Sequence, residues 1–479
     1  MKSIWSESCN FEKREALKGD IKTDILVIGA GIAGVLIAYM LKESGKDVIV
    51  IEGDEIAGGN TKNTTAKITS QHDLIYNKLI LEFGEEGARQ YAKANEIAIK
   101  KYKEIIEKRK IECDFEEKSA YIYSLNEIDK LKEEVEAAKK LGIKAEFIKE
   151  TNLPFEIKGA VKFNNQGQFN PLKFLKDISK DLIIYENTRA LEIKENLVVT
   201  NRGEITANHI VVATHYPIMN TPGYYFMRMH QERSYVIALE NVNNIDGMYI
   251  DADKEGYSFR TYKNLLLLGG ITQRTGENEE GGSYDKLRQV TKELFPNSKE
   301  KYYWSAQDCM TMDGIPYIGE YSYETPNIYV ATGFNKWGMT NSMVAAMIIS
   351  DMILEKENDF SDIFSPKRFD LSLSINNIAK DISQTAKNFI AQKVYIPSNR
   401  IEHIKNGHGG IVDYDGEKVG VYKDNEGKAF FVTTKCAHLG CQLHWNADEL
   451  TWDCPCHGSR FDYKGRLIES PATKDLIDD

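Results

Sequence analysis

The chain has 479 residues, 42% of them hydrophobic and 28% charged, with a mean hydropathy of −0.43. That composition belongs to a soluble globular protein and excludes disordered, collagenous and membrane-embedded classes. The 61 basic and 72 acidic residues leave a net charge of −11, which disfavours broad attraction to nucleic acid or to an anionic membrane surface.

At about 150 residues per domain, the length predicts about three domains. The N-terminal 20 residues are polar and mixed in charge, unlike a secretory signal, so a cytoplasmic, reducing location is expected. Residues 24–28 form an apolar run leading into the glycine-rich GAGIAG, an amphipathic stretch over 35–44 and a second apolar run over 48–51 that ends at Glu52. This order predicts strand, turn, helix and strand. Residues 82–141 are rich in Lys and Glu, with Tyr91, Ala94, Ala98, Tyr102 and Ile105 at helical spacing, and predict a pair of surface helices. Asn170 followed by Pro171 predicts a helix start. Strands are expected over 190–193, 197–200 and 210–213, and an antiparallel sheet over 224–271. A strand over 327–332 and a helix over 344–354 follow. The run 343–354 is interrupted by Ser350 and Asp351 and falls short of the about 20 residues that a membrane span needs. Beyond Pro366, apolar residues at helical spacing predict a linking helix, and the remainder reads as short, glycine-punctuated strands.

In GAGIAG, Gly29 permits the tight turn out of the strand, Gly31 lets backbone N–H groups approach a pyrophosphate, and Gly34 lets helix and strand pack closely. The helix N-terminus adds partial positive charge for the phosphates. Glu52 is placed to accept hydrogen bonds from a ribose hydroxyl. The pattern identifies a dinucleotide site without separating FAD from NAD.

Four further segments separate them. The fingerprint, GGNTKNTTAKITS over 58–70, HIVVATHYP over 209–217, and DGIPYIG followed by NIYVATGFNKWGMT together resemble the D-amino-acid-oxidase-like family of FAD-dependent oxidoreductases. The resemblance implies FAD as cofactor and a small-molecule substrate. By position, Thr332, Gly333, Gly338, Met339 and Thr340 should line the isoalloxazine, and Thr64, Thr65 and Ala66 should lie beside the flavin or its phosphates. Amino-acid oxidases of this family carry an arginine shortly before the DG turn to grip a substrate carboxylate. Here that stretch is WSAQDCMTMDG, with Asp308 at about that place, which argues against an amino-acid substrate and leaves an amine open. Arg260, His72 and His230 are secondary candidates for contact with substrate or flavin.

Seven cysteines are too few for a disulfide scaffold, yet Cys436, Cys441, Cys454 and Cys456 crowd into one stretch, while Cys9, Cys113 and Cys309 are scattered. KCAHLGCQLHW and WDCPCHGSRFD offer Cys436-x-His438, then Cys454-x-x-His457. Zinc accepts two Cys and two His, but each knuckle here offers one of each. That mixture suits a [2Fe-2S] cluster with Cys436 and Cys454 on one iron and His438 and His457 on the other. The segment closely resembles a Rieske domain. The resemblance implies a disulfide between Cys441 and Cys456, which would have to be buried or strongly favoured to persist in cytosol.

Together these readings predict an α/β plus β chain: a Rossmann-like FAD-binding domain with an inserted antiparallel-sheet substrate domain, followed by a small all-β Rieske domain. The expected divisions are 1–375 for the oxidoreductase, 376–397 for the linking helix and 398–479 for the Rieske domain. Within the first, the FAD-binding part covers about 20–80, 160–217 and 311–356, and the substrate part about 81–159 and 218–310. The expected function is electron exchange between a small organic substrate at FAD and an external protein or small-molecule partner through the cluster. The alternative is a non-catalytic redox sensor or carrier. An oxygenase would need a large iron-binding domain beyond the cluster, and a respiratory subunit would need a membrane anchor; neither is expected here.

Imidazole ligands replace anionic thiolates and raise the potential into the range of about −150 to +300 mV, within which hydrogen bonds to the cluster tune it. High-potential Rieske proteins carry a serine after the second His-Gly and an aromatic hydroxyl two residues on. Ser459 is present, but Phe461 lacks the hydroxyl. Phe461→Tyr should therefore raise the cluster potential in protein-film voltammetry; an unchanged potential would contradict this.

Overall fold

Runs of branched apolar residues account for the first sheet, because a strand covered on both faces can carry apolar side chains continuously. Val48–Ile51 and Ile328–Thr332 are buried at every position. The computed structural model describes residues 2–253, 255–368, 401–414 and 416–476, so the helix expected over 376–397 lies outside the described residues. Ile21–Ile28 pairs in parallel with Val48–Ile51 and with Glu204–Val212. Glu204–Val212 pairs in parallel with Ile328–Thr332, and Val48–Ile51 with Ile183–Tyr185. The helices Ile32–Glu43 and Gly338–Ile353 share one core above this sheet. The predicted strand, glycine turn, helix and strand are all present, and Asn170 caps Pro171–Ile178 by accepting from Leu172 N and Lys173 N.

The second sheet is larger. Its strands run in the order Lys299–Thr311, Met229–Glu240, Leu265–Arg274, Ser258–Tyr262, Met248–Asp251, Glu116–Ser124, Gly159–Gln168 and Lys67–Ile68. Two of these, Lys67–Ile68 and all but the first residue of Gly159–Gln168, fall within segments that the sequence assigned to the FAD-binding part. The pair of helices expected over 82–141 is present, with an unexpected strand between its members. One helix, Ile75–Arg109, is broken at Gly84 (φ 73°), and the strand Glu116–Ser124 separates it from Asp129–Lys140. The strand's Lys and Glu content hid it, but pairing with Gly159–Gln168 and Met248–Asp251 fixes it, so tertiary context overrides local preference. Tyr91, Ala94, Ala98 and Tyr102 form the buried face of the first helix, opposite its charged residues. Ahead of the first sheet, the helix Ile4–Ser8 buries Trp5, whose Nε1 donates to Thr64 O at 2.7 Å.

The C-terminal domain is all β. Gly409–Tyr414, Glu417–Lys423 and Ala429–Thr433 form one small sheet, and His444–Asn446, Thr451–Asp453, Arg460–Asp462 and Leu467–Glu469 another. Leu443, Trp452 and Phe461 are completely buried in its core.

This domain is held to the flavin half by a buried ionic network. Arg233, on the strand Met229–Glu240, is 2% exposed and pairs with Glu449 and, at 3.5 Å, with Glu469. Arg460 of the C-terminal domain binds the same carboxylates at 2.7 and 3.4 Å and Asp453 at 3.1 Å. Asp448 caps the helix Ser283–Leu294 across the interface by accepting from Gly282 N and Ser283 N at 2.8 and 3.0 Å. Removing one partner from a buried ionic network costs about 3–5 kcal/mol, because the remaining charges lose their compensation. Arg233→Ala should release the C-terminal domain, seen as a larger radius of gyration in small-angle X-ray scattering; unchanged scattering would contradict this account of the interface.

Candidate active site and cluster site

The glycine fingerprint opens onto a cavity of about 680 Å³, within the usual range for ligand pockets of about 300–1,000 Å³. Gly29 has φ +107°, and a Cβ there would lie 2.6 Å from Ala213 O. A Cβ on Gly34 would lie 1.9 Å from Gly29 O. The close turn and helix packing inferred from the sequence are therefore steric requirements. Gly29, Gly31, Ile32 and Ala33 line the cavity, so the N-terminus of Ile32–Glu43 faces it. Glu52 also lines it, with its two oxygens accepting from Ala30 N at 2.8 Å and Asp54 N at 2.9 Å. These features fit a bound dinucleotide.

Thr64, Thr65, Gly338 and Met339 lie on the cavity wall. Ala66, Thr332, Gly333 and Thr340 do not line it and brace the loops that do. Thr340 Oγ1 donates to Thr69 O at 2.8 Å and accepts from Thr69 N at 2.9 Å, and Thr332 Oγ1 donates to His215 O at 2.5 Å.

Among the secondary candidates, Arg260 is a brace: it is 1% exposed and donates to Thr65 O and Ala66 O. His72 is a core residue with Tyr91 OH and Thr69 O each at 2.6 Å from its ring nitrogens. Burial lowers it to about 3, leaving a neutral ring stacked on Trp337. His230 stands 3.4 Å from Glu232 Oε1.

Asp308 lines the cavity opposite Glu232 on the neighbouring strand. Burial raises its carboxyl above the ordinary value, offset only in part by the charges of His215 and Lys336 and by Asn60 Nδ2, which donates at 3.2 Å. Burial would raise Glu232 too, but the His230 hydrogen bond and Lys336, 2.8 Å away, hold it at about 2. Lys67, also on the wall, is lowered to about 7 by burial and by the Arg260 guanidinium. Glu232, Lys67 and Lys336 escaped the sequence reading, although both lysines lie inside the motifs GGNTKNTTAKITS and GFNKWGMT.

Cys436, His438, Cys454 and His457 converge from the two loops of the C-terminal domain. The imidazoles of His438 and His457 meet edge to face at 4.9 Å between centroids. The Nδ1 atoms of both are buried without a hydrogen-bond partner. The Cys436 thiol is drawn below its ordinary value, first by its hydrogen bond with Cys454, with Ser459 also contributing. Burial lowers His438 to about 4 and His457 to about 3, so both rings are neutral, as metal ligation requires. Cys441 and Cys456 form a disulfide tying the loops together. The sulfurs of Cys441, Cys454 and Cys456 lie within 4.8 Å of one another, but the disulfide commits two of them. Two thiols and two orphaned imidazole nitrogens fit a [2Fe-2S] cluster.

The cluster site faces the flavin half. Gln231 Nε2 donates to His457 O at 2.7 Å, and Gln307 Nε2, from a cavity-lining residue, donates to Gly458 O at 2.8 Å. His438 Nε2 lies 2.6 Å from Asn220 Oδ1, and Phe226 packs edge-on against His457. Ser470, Ala472 and Thr473 of the C-terminal domain line the same cavity as Gly29 and Asp308. None of these contacts across the interface was read from the sequence.

This arrangement belongs to a flavin-dependent oxidoreductase joined to an iron-sulfur module. A model of the FAD dependent oxidoreductase family (DAO) matches residues 24–352, and a Rieske [2Fe-2S] domain model matches residues 395–478. The chain belongs to this FAD-dependent oxidoreductase family, with a C-terminal Rieske domain; its cofactors are FAD and a [2Fe-2S] cluster. It is 38% identical to the putative Rieske 2Fe-2S iron-sulfur protein YhfW of Bacillus subtilis, over 99% of this chain and 96% of that protein. Glycine oxidase from Geobacillus kaustophilus shares its fold with a TM-score of 0.62 at 17% identity, over 73% of this chain and 99% of that one. L-proline dehydrogenase from P. horikoshii does so with a TM-score of 0.62 at 20% identity, over 74% of this chain and 98% of that one. Among the described residues, no helix is long and apolar enough to cross a membrane.

Proposed function

We propose that this oxidoreductase removes electrons from a cationic amine and delivers them, through its own cluster, to an external one-electron acceptor. In this reading residues 1–375 hold FAD and substrate, and 398–479 hold the cluster through Cys436, His438, Cys454 and His457. When bound, FAD takes up an electron pair from a substrate and releases it singly, which suits a centre that accepts one electron at a time.

The observation that carries the substrate class is Asp308. A half-buried carboxyl in the cavity wall, raised by desolvation and with one amide donor, is poorly compensated, and an ammonium beside it would restore the charged form. The site also lacks the arginine that family resemblance associates with a substrate carboxylate. Lys336, one of the charges acting on Asp308, is itself engaged with Glu232. Asn60 would orient Asp308 through Oδ1, leaving Oδ2 to accept from the amine. The Rieske residues Ser470, Ala472 and Thr473 in the cavity wall would exclude water from the side that faces the cluster.

A charged hydrogen bond contributes about 1.5–3 kcal/mol, equivalent to about 10- to 100-fold in affinity. In an anaerobic panel scored by flavin bleaching, amines without a carboxylate should bleach the flavin, and Asp308→Asn should raise their KM by about 10- to 100-fold. Preferential bleaching by amino acids, with KM indifferent to Asp308→Asn, would contradict the proposal.

A further inference from the structure

Ile218, on the cavity wall, and Asn220, in contact with His438, are two residues apart. An extended chain spans at most about 3.6 Å per residue, so about 7 Å of backbone separates the flavin cavity from the residue that touches the cluster ligand. The segment is braced on both sides. Tyr321 OH donates to Met219 O at 2.6 Å, and Tyr224 N donates to Asn220 O at 3.0 Å. Asn220 is thus presented to His438 by a fixed loop.

The direction of the hydrogen bond follows from the proton inventory of the ring. A neutral imidazole has one N–H and one bare nitrogen. His438 Nδ1 is buried without a partner and is the nitrogen left for iron. Nε2 therefore carries the proton and donates to Asn220 Oδ1 at 2.6 Å. A ligand histidine whose far N–H meets an acceptor is fixed in orientation and becomes a more basic ligand. A more basic ligand favours the oxidised cluster and lowers its potential. His457 has a different environment on this side, where the edge of Phe226 meets its ring and Gln231 binds its backbone carbonyl.

We infer that Asn220, a residue of the flavin half, is a positioning residue for the cluster: its Oδ1 fixes the His438 ring and sets the cluster potential from outside the Rieske domain. The inference rests on the proposed ligation by His438. It makes the potential a property of the docked chain, and it places a hydrogen bond to a cluster ligand two residues from the cavity wall.

The test is an EPR-monitored redox titration of the full-length protein carrying FAD and cluster, at a single pH, for the wild type, Asn220→Ala and Asn220→Asp. Hyperfine spectra of the reduced cluster are recorded on each to count histidine nitrogens. Removing the acceptor should raise the potential, and the anionic acceptor of Asn220→Asp should lower it. Each shift should be about tenfold in the reduction equilibrium, which is about 59 mV for one electron. Asn220→Asp keeps an acceptor in place, so its downward shift tests the inference even if Asn220→Ala loosens the interface. Equal potentials in all three proteins, with two histidine nitrogens still coupled, would overturn the role of Asn220 and leave the ligand set standing. Absence of histidine coupling in the wild type would overturn the ligand set and this inference with it.

Discussion

The buried network of Arg233, Arg460, Glu449, Asp453 and Glu469 is the contact on which the functional arrangement depends. Either half could bury its own core without it, since the cores are separate. What the network adds is register between the halves. Arg233 projects from the strand that also carries Gln231 and Glu232, so the residue that anchors the Rieske domain is next to one that binds a cluster loop and one that lines the cavity. Three carboxylates against two guanidiniums, all but the partly exposed Glu469 desolvated, tolerate little displacement, because separation leaves a buried charge uncompensated.

That fixed register gives the cavity an unusual wall. On one side stand the glycine turn and the helix N-terminus that receive a dinucleotide, and on the other stand residues of the Rieske domain. Gln307 belongs to the cavity lining and to the cluster contacts at once. The imidazole side of the cluster site is covered by the chain's own flavin half, through Asn220, Phe226 and Gln231, while Leu439 at the tip of the first cluster loop is 44% exposed.

Much of this was legible in the sequence where function is local. Gly29 and Gly34 must lack a side chain because backbone atoms lie within 3 Å of where a Cβ would be. The ligand candidates occupy two short loops whose residue types announce their chemistry. Asp308 was visible as a departure from the family pattern, although its place in the cavity wall was not. The interface was illegible because its pairs are far apart in the chain and carry no local signature: Asn220 and His438 are separated by 218 positions, and Gln231 and His457 by 226. The strand Glu116–Ser124 was missed for a related reason, since its partners lie downstream and its charged composition matches a helix surface. Arg260 shows the converse: an arginine on an alternating strand suggested substrate contact, yet its guanidinium turns inward to hold the loop at Thr65 and Ala66.

The proposed function requires electrons to pass from flavin to cluster inside one docked chain. Flash photoreduction of the flavin in the fully loaded protein, followed by the absorbance of the cluster at several protein concentrations, tests it most directly. Transfer within the chain should reduce the cluster at a rate independent of protein concentration. A rate proportional to concentration, or a cluster that stays oxidised while the flavin remains reduced, would contradict it.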